Sequence, residues 1–188
     1  FIKDSEGRMY IPGSSLKGAF RTAIIAAMIR KDRERYEKYW NEIFNIAKRA
    51  NYLNRNIGNV LDKLEKEIFI PIGTDGKRNM VNSCFRALTV GDSSTASKAG
   101  IIVQKADFGE KEERPHTISL WRECMAPGDT VNFKLGIDSV GMKALGISDT
   151  KGLIQCLQDF VDFQCELLWK SFGDTDEIQE MQHTDLLL

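Results

Sequence analysis

The sequence predicts an α+β fold of the ferredoxin-like (RRM-like) type, with its first strand missing and a helical insertion after its first helix. Three observations predict it. Apolar residues recur at three- and four-residue spacing from Leu16 to Met28 and again from Leu153 to Phe172. Apolar and polar residues alternate from Val131 to Asp138, and the segments between the two helices are rich in strand signals. A further helical stripe lies between the first helix and those strands. At 188 residues the chain suits one domain with a sizeable insertion over about residues 31–80.

Each element follows from local chemistry. Pro12 and Gly13 break an extended segment, and Ser14 or Ser15 can cap a helix by accepting a backbone N–H. Helix entry is predicted at about Ser15, with Leu16, Ala19, Phe20, Ala23, Ile24, Ala27 and Met28 forming a core face that runs to about Ile29. Charges alternate from Lys31 to Tyr39, and Tyr36, Tyr39, Trp40, Ile43, Phe44 and Ala47 continue a helical stripe read as a packing face. Asn51–Asn59 reads as a polar loop with Arg55 central, followed by a third helix around Val60–Ile68 and a connection over Pro71–Lys77. Strands are predicted at Cys84–Val90, Ile101–Ala106, Thr117–Glu123 and Val131–Ile137, with Phe108–Pro115 looping out and Pro127-Gly128 turning. A long amphipathic helix starts near Asp149-Thr150 and stops at Gly173, and Thr184–Leu188 reads as a final strand.

The first helix carries the chemistry. Lys17 and Arg21 are four apart, so they stand on one flank near the N-terminal end, where the helix dipole disfavours cations. The pair is electrostatically unfavourable unless an anion comes to it. Free N–H groups, the Ser14 and Ser15 hydroxyls, Lys17 and Arg21 together suit a phosphate. Gly18 inside the helix costs about 1 kcal/mol against alanine and leaves room for a backbone to approach closely. The competing reading is an ordinary capped helix with solvated basic residues.

Composition bounds the rest. The chain is 42% hydrophobic and 28% charged, the balance of a soluble globular protein, and no apolar run reaches the roughly 20 residues of a membrane span. Cys84, Cys124, Cys156 and Cys165 are scattered, with only His116 and His183 beside them, so no zinc site or other metal centre is expected. Buried reduced thiols fit a cytoplasmic protein. The net charge of −1 hides a division: residues 1–40 hold nine Lys and Arg against five Asp and Glu, whereas residues 171–188 hold five acids and no Lys or Arg. A polarised chain of this kind can bind RNA on one face.

The stretch Tyr10-Ile11-Pro12-Gly13-Ser14-Ser15-Leu16-Lys17-Gly18-Ala19-Phe20-Arg21 resembles the "IPGSSLKGALR" signature of the RAMP superfamily, the repeat-associated RNA-binding proteins of CRISPR effector complexes. Three later segments resemble the Csm subunit five type of the type III-A (Csm) complex: Phe85–Ser93 with its Gly91-Asp92-Ser93 turn, Trp121–Asp129 with its Pro127-Gly128 turn, and Thr184–Leu188. The resemblance implies the same ferredoxin-like fold and a non-catalytic subunit that holds crRNA near its 3′ end beside target RNA and other Csm RAMP subunits. It implies no cofactor, small-molecule substrate or membrane. The candidate RNA contacts are Gly13, Ser14, Ser15, Lys17, Gly18 and Arg21, with Arg86 weaker because a strand arginine can simply pair with an acid. No RRM-type aromatic signature lies on the strands, so recognition should rest on phosphates. Family members carry a strand and a histidine- or glycine-bearing loop before this helix and a glycine-rich loop after the final strand. Neither is in this sequence, which reads as a truncated product or engineered fragment holding half of a phosphate site.

Three other readings compete. A RAMP ribonuclease acting on crRNA precursor or target RNA would use His116 and Asp92, although His116 beside Pro115 in a charged loop reads as an exposed bystander. A different RAMP subunit of a type III complex would share the first motif. An interaction module would dock proteins through residues 31–70, with Trp40 and Phe44 as anchors if exposed, although burial is expected of both.

Overall fold

The computed structural model describes residues 1–49, 55–73, 76–107 and 116–172. Its elements in chain order are α1 (Gly13–Lys31), α2 (Arg33–Arg49), α3 (Arg55–Phe69), β1 (Leu88–Val90), β2 (Ile101–Asp107), β3 (His116–Cys124), β4 (Leu135–Ile137), the one-turn α4 (Ser139–Met142) and α5 (Thr150–Phe172). Short 3-10 turns cover Met80–Asn82, Cys84–Ala87 and Lys143–Leu145. Helices and small antiparallel strand pairs therefore coexist, as an α+β chain requires. Among the described residues the strands form two pairs, β1 with β4 and β2 with β3.

Contacts within the chain group it into two compact units, residues 1–18 with 89–136 and residues 19–88 with 137–188. The second unit holds most of the buried apolar side chains. Phe20, Ala23 and Ile24 of α1, Tyr36 of α2, Val60 and Leu64 of α3, Leu88, Met142 and Leu153 are all nearly sealed from solvent. Their spacing along each helix is the reason those helices form where they do. Between α2 and α3, Glu67 gathers Arg35 Nε at 3.0 Å, Lys38 Nζ at 2.7 Å and the Tyr39 hydroxyl at 2.7 Å. Burial pushes the Glu67 carboxyl up, but those three donors outweigh it and hold it down at about 2. Burial and the bond to Glu67 push the Tyr39 phenol up to about 12.

The first unit contains the β2–β3 ribbon, in register from Ile101 opposite Cys124 to Gln104 opposite Trp121, with an irregularity between Gln104 and Ala106. Met9 is its buried apolar side chain among the described residues, and Gly100 fits against that methionine's sulfur and methyl.

Several sequence expectations need correction. Residues 84–87 form a 3-10 turn instead of the first half of a strand, because Cys84 and Phe85 are drawn into the core. The Cys84 thiol donates to the Phe69 carbonyl at 2.9 Å, and the Phe69 and Phe85 rings meet at 5.0 Å. Tertiary burial overrides the local β preference there. The strand expected over Val131–Ile137 is regular only from Leu135, since the Ser94 hydroxyl accepts the Asn132 N–H at 3.0 Å and displaces a ladder bond. The polar loop expected through Asn59 is helical from Arg55, where Val60, Leu64 and Ile68 bury one face; residues 51–54 lie outside the described residues. His116 opens β3 opposite Asp107 instead of sitting in a loop.

The aromatic stripe of α2 divides: Tyr36 and Tyr39 are buried, whereas Trp40 is 50% and Phe44 60% exposed. Among the described side chains of α5 only Leu153 is sealed, and Ile154 and Val161 are open to solvent. Of the four cysteines, Cys84 is buried and the other three are half-buried, all as free thiols. The Phe108–Pro115 loop, Gly173 and the Thr184–Leu188 strand fall outside the described residues.

Candidate nucleic-acid interface

The first turn of α1 is built from two distant stretches of chain. The Pro12 carbonyl accepts the Ser15 N–H at 2.9 Å, and the helix begins at Gly13, two residues ahead of the sequence expectation. Neither Ser14 nor Ser15 is the cap. The cap is Asp92, whose Oδ1 accepts the Gly13 N–H at 2.8 Å. α1 has no acid of its own in its first turn, so this carboxylate supplies the negative charge that the positive end of the dipole favours. Ser93 completes the join: its hydroxyl accepts the Ile11 N–H at 2.9 Å, and its own N–H donates to the Ile11 carbonyl at 3.0 Å.

Gly13 is obligatory at this join. A Cβ on it would lie 2.3 Å from the Val90 carbonyl oxygen and 2.5 Å from that of Gly91. No side chain fits between those two carbonyls and the helix start. Gly18 contrasts with it, since a Cβ there would meet nothing within 4 Å. Of the candidate RNA contacts in this unit, Gly13 is therefore buried with its N–H already taken, whereas Ser14, Ser15 and Gly18 are exposed and Lys17 is half-buried.

The turn after β3 is anchored in the same unit. Gly128 adopts φ +70°, and Asp129 then receives the Ser97 hydroxyl at 2.7 Å and the N–H groups of Ser97, Lys98 and Thr130. The Ser97 hydroxyl foremost, with these backbone donors, holds the Asp129 carboxyl down at about 2.

Arg21 and Arg86 belong to the second unit. Arg21 Nη1 pairs with Glu65 Oε1 at 3.1 Å, and its guanidinium stands 5.1 Å over the Phe85 ring. The anion that the sequence reading sought for this cation is thus partly supplied by α3. Arg86 is exposed on the 3-10 turn before β1, not on a strand.

Sequence reasoning missed Asp92 as a cap, and Glu65 and Phe85 as partners of Arg21. The Gly91-Asp92-Ser93 turn was a readable signal, since Asp and Ser beside a glycine are capping residues. Its partner 79 positions away was not. Among the described residues no three His, Cys, Asp or Glu side chains gather into a metal-binding group, and no helix is long and apolar enough to cross a membrane.

Comparisons with known proteins identify the family. The RAMP superfamily matches residues 1–184. The chain is 32% identical over 138 residues to the CRISPR system Cms protein Csm5 of Streptococcus thermophilus, covering 72% of this chain and 32% of that protein. It is 27% identical over 142 residues to the Mycobacterium tuberculosis protein of the same name, covering 74% and 35%. The chain thus spans about a third of the length of the curated relatives it matches. Its fold is similar to the crystal structure of T. onnurineus Csm5, with TM-score 0.60 and 19% identity over 97% of this chain and 59% of that one. It is also similar to a chain in the Csm-crRNA-target RNA ternary complex of a type III-A CRISPR-Cas system, with TM-score 0.50 and 23% identity over 85% and 44%. With the family match running through the glycine-serine helix start, the Gly-Asp-Ser turn that caps it and the Pro-Gly turn beyond, the chain belongs to the RAMP superfamily.

Proposed function

We propose that this chain is the RAMP domain of a Csm5-type subunit in a cytoplasmic type III-A ribonucleoprotein, and that it holds crRNA near its 3′ end without catalysing a reaction. One observation carries the reading. The first turn of α1 is fixed from behind by Gly13 and Asp92, and it turns the Ser14 and Ser15 hydroxyls and the open face of Gly18 to solvent, with Lys17 on the same turn. Such a surface suits a sugar–phosphate backbone, which carries no base identity. Arg21 and Arg86, which belong to the second unit, are further candidate RNA contacts in their own right. The two strand pairs are read as parts of a ferredoxin-like sheet, with α2 and α3 as its helical insertion over about residues 31–80. The exposed Trp40 and Phe44 suit packing against a neighbouring Csm subunit, and target RNA is the further partner. Asp92, the carboxylate of the ribonuclease alternative, is engaged as a helix cap.

The test is a salt titration of single-stranded RNA binding. Lys17→Ala should weaken affinity and lower the slope of log K against log salt by about 0.7, the value for one phosphate contact on a single strand. Ser14→Asp should weaken it further. Unchanged affinity and slope in both variants would overturn the assignment.

A further inference from the structure

Within the second unit, a cavity of about 210 Å³ opens beside Arg21. Phe69, Ile70 and Phe85 form its apolar back, Met80 one wall, and Arg21, Asp62, Glu65 and Lys66 its mouth. Phe69 and Phe85 are buried, whereas Met80 is 64% exposed. Arg21 already lies over the Phe85 ring and is tied to Glu65, so its guanidinium plane is held in place.

The charge pattern selects the ligand. Two carboxylates at the mouth repel a phosphate, and a plain aliphatic group would offer nothing for Asp62 and Lys66, beside the Arg21–Glu65 pair, to bond. A planar heteroaromatic ring meets both demands. Its face packs on the Arg21 guanidinium and the Met80 thioether, its N–H edge donates to Asp62 or Glu65, and its ring acceptors face Lys66 or the Ser83 hydroxyl. We infer that this cavity receives one unstacked base of the bound RNA, so that the chain reads a nucleobase as well as the phosphate backbone. The inference rests on the RNA-binding reading above.

Two measurements test it. The chain is irradiated in complex with single-stranded RNA bearing 4-thiouridine, and the crosslinked peptides are identified by mass spectrometry. Crosslinks are expected at Met80 or Phe85. In parallel, Met80→Ala, at an exposed position that does not threaten folding, should weaken binding of ordinary RNA by about 2- to 10-fold, the strength of a sulfur–ring contact. It should leave binding of a wholly abasic ribose-phosphate oligomer unchanged. Crosslinks confined to other segments, or equal weakening for both oligomers, would overturn the base site while leaving the phosphate reading standing if the salt slope persists. Absence of RNA binding at low salt would overturn both.

Discussion

The Gly13 N–H donates to the Asp92 carboxylate at 2.8 Å, so the helix that opens the chain is finished by an acid 79 residues downstream. This bond makes the two motifs parts of one object. The glycine of the first motif exists for the strand that passes behind it, and the aspartate of the second exists for the helix in front.

Gly13→Ala should therefore destabilise the chain by about 2 kcal/mol or more, since the new Cβ has only backbone to push against. Gly18→Ala is the control. With open space around it and a helical backbone, it should stabilise the fold by about 0.5–1 kcal/mol while weakening RNA binding. Urea unfolding of both variants checks the stability changes, and the same sign for both would contradict this account.

Asp92→Ala should cost about 1 kcal/mol, the usual value of a lost N-terminal cap, and Asp92→Asn distinctly less because an amide oxygen still accepts the Gly13 N–H. Denaturant midpoints for the two variants decide the matter. Equal losses would mean that the charge, not the hydrogen bond, does the capping.

Glu67 sets an acid limit on the second unit. Its folded carboxyl titrates at about 2 against an ordinary value of 4.5, so the unfolded chain binds the proton first as pH falls. The stability this group contributes is fully present above about pH 4.5 and is lost as pH drops through about 2. Glu67→Gln should lower stability at pH 7 and flatten the acid limb of the stability curve between those values. An acid limb as steep as in the parent chain would show that other carboxylates dominate it. Asp129, held at about 2 by Ser97 and its backbone donors, adds a contribution of the same sign from the first unit.

Neighbouring aromatics of α2 should respond oppositely to truncation. Tyr36→Ala removes a sealed ring and should cost about 3 kcal/mol. Trp40→Ser, at a half-exposed position, should change stability by less than about 0.5 kcal/mol. If Trp40 contacts a neighbouring subunit, the second variant will assemble poorly despite folding well. Thermal melts and co-purification separate the two effects.

Helices were legible because their apolar periodicity is local: Phe20, Ala23 and Ile24, or Val60, Leu64 and Ile68, declare a buried face without help from elsewhere. The strands β2 and β3 were legible as runs of strand-forming residues between turn signals, but not their pairing. What escaped was decided by distant partners. Phe85 leaves a strand pattern to meet Phe69, Ser94 takes a bond from Asn132, and Asp92 displaces the local serines as the cap of α1. Trp40 and Tyr39 are adjacent in sequence yet differ in burial, because one residue step swings the side chain about 100° around the helix axis. The candidate site was half legible: Ser14, Ser15 and Lys17 could be named from their own segment, but the engagement of Arg21 by Glu65 and Phe85 could not.

The ties between residues 9–13 and residues 92–96 also set an order of events during synthesis. The Met9 carbonyl waits for the Ala96 N–H, Ile11 for Ser93 and Gly13 for Asp92. A nascent chain that has left the ribosome only as far as α3 carries Ser14 and Ser15 on an uncapped helix start. Long-range closures of this kind are late steps, because the entropy of the intervening loop is spent before the contacts return anything. The first turn of α1 is thus finished only once the chain has been made past residue 96, and a chain halted before that point leaves the Gly13 N–H without its carboxylate.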